Sequence, residues 1–286
     1  MDAHKIAEIN DKLKACVIKS ADLFDIDGVV IRGRLLFNLV YAVSMELDDK
    51  KEFRSMLHDR LEMVHYGQVS SLKLSMDAID LADNGFFVGL EKDRVLNIAL
   101  RTAFKSVGSV NRFAKSLIGA LRERPVERRR LLVAVTGAPE EIALPICNAL
   151  GFDVCISSIY YTGPSGRYTL LRNLNAGLNK GLIIDRLETD CGMSWDGSIG
   201  AGDSERDLDI LNRVSYPLAI NPDEKLQARV RANRKMAFIS DSQKKGIHIF
   251  RADANGRFHE VDDAEVLPPD IVPLKGGDAF NANPHC

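Results

Sequence analysis

The sequence predicts an α/β fold with a mainly parallel sheet and an inserted helical domain, on three observations. From residue 110 onward, short fully apolar runs such as Leu131-Leu132-Val133-Ala134-Val135 alternate with stretches of helical period. That pattern implies parallel strands covered on both faces. Residues 35–109 interrupt the alternation and read as helix throughout. Finally, acidic or small polar residues stand where apolar runs end, at Asp25-Ile26-Asp27-Gly28, Thr136-Gly137 and Gly202-Asp203. In an open parallel sheet ligands bind at that end of the strands.

Taken in order, Ile6, Ile9, Leu13, Cys16 and Val17 recur at helical spacing, which predicts a short amphipathic helix over 4–19. Residues 22–31 read as a strand giving way to a loop at Asp27-Gly28. Four apolar stripes follow, beginning at Leu35, Phe53, Leu72 and Val95, with breaks at Gly67 and at Asp83-Asn84-Gly85. The methionines of this segment, Met56, Met63 and Met76, read as core. Helix is then expected over 113–121, strand over 131–135 ending at Thr136-Gly137, helix over 140–150 and strand over 154–156. The series continues with helix over most of 173–186, strand over 198–203, helix over 205–213, strand over 217–220, helix over 226–232 and strand over 236–240, joined by right-handed crossovers. Two hairpins interrupt it. One surrounds Gly163-Pro164-Ser165-Gly166 as a small flap, and the other surrounds Asn255-Gly256. The arginines at 122, 124 and 128–130 are interleaved with Glu123 and Glu127, which reads as a solvated helix end. The expected organisation is a core of 1–34 and 110–261, a cap of 35–109, and a flexible tail over 262–286.

The chain has 286 residues, 45% hydrophobic and 27% charged, with a formal net charge of −2. This composition is globular and gives no general drive toward nucleic acid. No apolar run reaches the ~20 residues of a membrane span, and no signal-peptide pattern opens the chain. The five cysteines (Cys16, Cys147, Cys155, Cys191, Cys286) lack metal-ligand spacing and read as reduced thiols of a cytoplasmic protein.

The chemistry is expected at Asp25 and Asp27. On a strand, residues i and i+2 point the same way, and like charges so placed repel unless a cation or a proton intervenes. Metal binding and a division of nucleophilic from acid/base work are the two uses of such a pair. Thr136-Gly137 offers a hydroxyl and an unobstructed N–H ahead of a helix, which suits a phosphate oxygen. Lys180 places an ammonium near the same centre. Asp207 falls one helical turn beyond Asp203, so both can face one site.

These blocks resemble, in order, the motifs of the haloacid dehalogenase (HAD) superfamily: Asp25-Ile26-Asp27-Gly28-Val29-Val30, Leu132-Val133-Ala134-Val135-Thr136, Lys180, and Gly202-Asp203-Ser204-Glu205-Arg206-Asp207. The last block, with Tyr161-Thr162-Gly163 and Ala219-Ile220-Asn221-Pro222-Asp223, is similar to the phosphoserine-phosphatase-like subgroup. The resemblance covers about residues 20–240 and implies a Rossmann-like HAD core with an inserted helical cap. It further implies a Mg²⁺-dependent phosphatase acting on a small phosphate monoester. Asp25 would be the nucleophile, forming an aspartyl-phosphate, and Asp27 the acid/base. Thr136, Gly137 and Lys180 would bind phosphate; Asp25, the backbone carbonyl of Asp27 and Asp203 would bind the metal; Asp207 would support that shell. A phosphotransferase or mutase, or a catalytically silent binding protein on the same scaffold, are the alternatives. The residues after Asp27, Gly28-Val29 and Ile31-Arg32-Gly33-Arg34, depart from the phosphoserine phosphatase pattern and make serine phosphate a doubtful substrate. Arg32 and Arg34, near the cap hinge, could suit an anionic substrate, with surface arginines as the default reading.

Overall fold

The computed structural model describes residues 11, 13–66, 68, 71–242 and 245–271. The helix expected over 4–19 and the break at Gly67 lie largely outside these residues, as does the chain from 272 onward. The order of elements is β1 (Ala21–Phe24), α1 (Leu35–Glu46), α2 (Arg54–His65), α3 (Ser71–Asp83), α4 (Lys92–Val107), α5 (Arg112–Arg122), β2 (Leu131–Pro139), α6 (Glu140–Leu150), β3 (Val154–Thr162), β4 (Tyr168–Leu174), α7 (Lys180–Cys191), β5 (Ile199–Gly202), α8 (Leu208–Leu211), β6 (Tyr216–Ile220), α9 (Glu224–Ala232), β7 (Ala237–Ser242), β8 (Gly246–Ala252) and β9 (Phe258–Glu260).

The strands form one sheet in the order β4-β3-β2-β1-β5-β6-β7-β8-β9. The six strands from β3 to β7 in that order are parallel; β4 at one end and β8 and β9 at the other run antiparallel. Alternation along the strands explains why β2 is apolar without a break. Leu132 and Ala134 join the core on one face with Phe24, whereas Leu131, Val133 and Val135 join the core on the other with Leu23. The first core is continuous with the cap through Leu39, Val43, Leu57 and Ile98. The second is closed by Ile184 and Leu187 of α7. The sheet order turns at β1, with β2 on one side and β5 on the other, so a crevice opens at the carboxyl end of β1.

The chain enters and leaves the cap side by side. Arg32 N–H donates to Ser109 O at 2.9 Å and Asn111 N–H to Val30 O at 2.8 Å. The flap β3–β4 is bonded to the cap in turn: Gly89 N–H donates to Tyr168 O and Tyr168 N–H to Leu90 O.

Several elements differ from expectation. β1 ends at Phe24, and residues 26–31 form a tight loop in which Val30 and Ile31 N–H both donate to Ile26 O. β2 runs to Pro139, beyond the apolar run, because its outer half pairs with β3 (Pro139 with Ser158). The helix expected over most of 173–186 is interrupted: the stretch holds the end of β4, a 3-10 turn over Ala176–Leu178 and the start of α7 at Lys180. Met56 and Met76 are exposed, whereas Leu57 and Ala78 near them in sequence are buried. Residues 262–271, expected to be flexible, are packed, with Val266, Leu267 and Ile271 buried in the main core. Arg124 is likewise buried and bonds Asp22 Oδ2 at 2.8 Å, so the arginine-rich helix end is not solvated throughout.

Candidate active site

Asp25 directly follows β1, and its N–H donates to Ala201 O of β5 at 3.0 Å, which extends the ladder by one residue. The carboxylate is buried, and its Oδ1 accepts a 2.7 Å bond from Lys180 Nζ. Lys180 also donates to Asp207 Oδ1 at 2.5 Å. The lysine reaches this point because the 3-10 turn before α7 lies against β2. A Cβ on Gly177 would stand 2.9 Å from Gly137 Cα, so a side chain there would push the turn away.

Asp27 is turned elsewhere. Its Oδ1 accepts from the N–H of Leu35, the first residue of the first cap helix, at 2.7 Å. The loop carrying it is pinned by Asn111, whose Nδ2 donates to Gly28 O at 2.9 Å and to Val29 O at 2.6 Å. Gly28 has φ +82°, and a Cβ there would lie 1.9 Å from Asp203 Oδ2. Only glycine combines this backbone with that approach.

Asp203, buried just beyond β5, forms an ion pair with Arg34, Nη2 to Oδ2, at 3.2 Å. The second oxygen of Asp207 accepts from Asp203 N–H (2.9 Å), Ser204 N–H (3.0 Å) and Ser204 Oγ (3.1 Å). Both Asp207 oxygens are thereby used in holding Lys180 and the loop. Oxygens of Asp25, Asp203 and Asp207 lie within 4.8 Å of one another.

Four carboxylates thus crowd around Lys180 and Arg34, so the acids outnumber the cations paired with them. Burial pushes the Asp25 carboxyl well above its usual range and Asp203 up to about 7, against the opposing pull of Lys180 and Arg34 respectively. Burial likewise raises Asp27, despite the Leu35 amide and Arg34. Burial pulls Lys180 down, but Asp207 and Asp25 outweigh it and hold the ammonium above its ordinary value. An all-oxygen set with excess negative charge, partly open to solvent, suits a hard divalent cation. Asp207, with both oxygens occupied, suits a supporting role.

The cavity over these groups has a volume of about 210 Å³ and is lined by core, flap and cap alike, including Asp25, Asp27, Gly137, Tyr160, Phe37 and Ile79. The structure therefore brings together Asp25, Asp27, Gly137, Lys180, Asp203 and Asp207. Thr136 is fully buried beside the cavity, its Oγ1 accepting from Ala138 N–H at 3.2 Å. Of two further contributors, Arg34 lies in the site against its default reading as a surface residue, and Asn111, which carried no signal beyond its place at the return from the cap, was missed. Arg32, by contrast, is structural, bonded to Asn111 Oδ1 and Asp241 Oδ1.

No family model matches the sequence. A histidinol-phosphatase from Neisseria meningitidis serogroup C (strain 8013) is 31% identical over 102 residues, which cover 33% of this chain and 45% of that protein. The match thus spans less than half the length of that relative. Among solved structures, a protein of unknown function from Bordetella pertussis Tohama I superposes with a TM-score of 0.55 at 19% identity, over 76% of this chain and 96% of that one. Cytosolic 5'-nucleotidase IIIB bound to cytidine superposes with a TM-score of 0.50 at 11% identity, over 85% and 88%. No helix among the described residues is long and apolar enough to cross a membrane. With acids at the ends of β1 and β5, a helical insertion between β1 and β2, and this sheet order, the chain has a mainly parallel α/β fold with a helical insertion, shared with these solved structures.

Proposed function

We propose that the chain is a Mg²⁺-dependent phosphatase that hydrolyses a small phosphate monoester through a phosphoryl-aspartate on Asp25. The observation that carries this reading is the separation of two neighbouring carboxylates into different settings. Asp25 is held by Lys180 on the cavity floor, and Asp27 is hung from the amide of the first cap helix. The partial match to a histidinol-phosphatase supports the same chemistry.

In this reading Lys180 and the Gly137 backbone hold the phosphoryl oxygens, while the Asp207 hydrogen bonds hold Lys180. An oxygen of Asp25 attacks phosphorus, the bond to the leaving oxygen breaks, and the carboxylic acid of Asp27 gives that oxygen its proton. The Asp27 carboxylate then takes a proton from water, whose oxygen attacks phosphorus and frees phosphate and Asp25. Asp25, Asp203 and the carbonyl of Asp27 would hold Mg²⁺, which when bound supplies charge neutralisation at the transferring group. Phosphoryl transfer depends mainly on positioning and electrostatics, and the chain's own groups supply both.

Freshly purified protein is expected to release phosphate from an aryl phosphate in the presence of Mg²⁺ and to stop when the metal is chelated. Absence of metal-dependent release would count decisively against the proposal.

A further inference from the structure

The cavity contains three cationic side chains, and two of them are already engaged. Lys180 is shared by Asp25 and Asp207, and Arg34 is paired with Asp203. The third, Arg206, lines the cavity from the 3-10 turn Glu205–Asp207 and is exposed at its mouth. It has no acidic partner among the described residues. Its neighbour Glu205 is turned away, pairing with Arg229 at 3.2 Å. The turn that carries Arg206 is fixed on both sides. Asp207 Oδ2 collects the amides of Asp203 and Ser204, and Asp207 Oδ1 is bound to Lys180. Arg206 therefore lines the cavity from a turn that is held in place, and it is not bonded to Asp25, Asp203 or Asp207. The lining also includes the apolar side chains of Phe37, Ile79, Tyr160 and Leu178, and Leu178 is largely exposed.

We infer that the substrate's leaving group carries a second anionic group, which Arg206 binds, on a small apolar body that lies against Phe37, Ile79 and Tyr160. This inference rests on the phosphatase reading and names its substrate class: an anionic organic phosphate monoester. The cavity, about 210 Å³, lies below the ~300–1,000 Å³ usual for ligand pockets and favours a small leaving group. A guanidinium at the mouth recognises carboxylate and phosphate alike, so the test separates them.

Phenyl phosphate, 4-carboxyphenyl phosphate and 1,4-phenylene bisphosphate are compared as substrates of the wild type, Arg206→Ala and Arg206→Lys. The wild type is expected to favour at least one charged ester over phenyl phosphate by about tenfold in kcat/KM, with the difference carried by KM. Which ester gains identifies the second group as carboxylate or phosphate. Arg206→Ala should remove that preference and Arg206→Lys should restore part of it. In the wild type the preference should shrink as salt is raised. Turnover of all three esters with the same relative rates in wild type and Arg206→Ala would overturn the inference and leave the phosphatase reading standing. Failure of the wild type to turn over any of them with Mg²⁺ would overturn both.

Discussion

Asp22 and Asp25 are carried three residues apart by β1 and the loop after it, and both are buried. Their surroundings differ in one respect. Around Asp22 the acids and arginines balance two to two: its Oδ2 accepts from Arg124 Nη1 at 2.8 Å, Arg124 also pairs with Asp270 at 3.1 Å, Arg130 acts on both acids, and Oδ1 accepts from Ile199 N–H at 2.7 Å. Asp241, elsewhere in the sheet, is over-neutralised, with Arg32 and Arg112 on Oδ1 and Phe113 N–H on Oδ2. Asp25 instead divides a single lysine with Asp207, with Asp27 and Asp203 close by. A buried carboxylate that only supports the fold keeps its full set of donors, since an unpaired one is costly. At Asp25 that deficit is tolerated, which marks a place where a cation and a phosphoryl group complete the charge balance.

Exchanging the two acids should separate the roles. Asp25→Asn is expected to lower turnover by at least ~10³-fold while the protein stays folded, since Lys180 keeps Asp207. Retention of a tenth of the activity would remove Asp25 as the nucleophile. Asp22→Ala should do the reverse. It leaves Arg124 deeply buried with only Asp270 at 3.1 Å, so a loss of about 3 kcal/mol is expected in denaturant titration, with turnover per folded molecule little changed. A variant as stable as the wild type would show that Asp22 is not the paired, structural member.

The cation deficit has a consequence that does not require catalysis. Mg²⁺ added to chelator-treated wild type should raise its melting temperature, by the equivalent of about 2.7 kcal/mol at a hundred times the dissociation constant. Asp203→Asn should abolish that shift. A Mg²⁺ shift of undiminished size in Asp203→Asn would place the cation elsewhere.

The sequence displays one half of this contrast much better than the other. Asp25, Asp203, Asp207 and Lys180 are legible because each follows or opens an element whose period is readable, and because ligands bind at that end of a parallel sheet. Their partners are set by tertiary distance. Asn111 reaches Gly28 across 83 residues and Arg124 reaches Asp22 across 102. Local charge patterning contains no trace of either, and a run of arginines and glutamates reads as solvated even when one arginine is taken under the sheet. Arg34 reads by default as a surface residue for the same reason. Beyond its place near the cap hinge, its only local sign is Gly28, whose missing Cβ makes room for Asp203. The ordered stretch before 271 was obscured by its prolines and acids, which dilute the three apolar residues that anchor it.

Glu141 offers a third case and the finest test. It is buried at the start of α6, and its hydrogen-bond partner is a neutral phenol, Tyr168 Oη, at 2.8 Å. Burial raises its carboxyl above the ordinary value of 4.5, while the Tyr168 hydrogen bond and Lys92 pull down and Glu140 pushes up. Between 4.5 and that raised value the folded state keeps a proton that the unfolded chain releases, so stability falls as pH rises through the interval and then levels off. Glu141→Gln keeps an acceptor for Tyr168 and removes the titration. Its stability relative to wild type should therefore increase as pH is raised from 4.5, whereas Tyr168→Phe should lose about 1 kcal/mol with the donor. Parallel pH profiles for Glu141→Gln and wild type would mean that Glu141 is neutralised in the fold as fully as Asp22 and Asp241 are. The cation deficit would then belong to the active site alone.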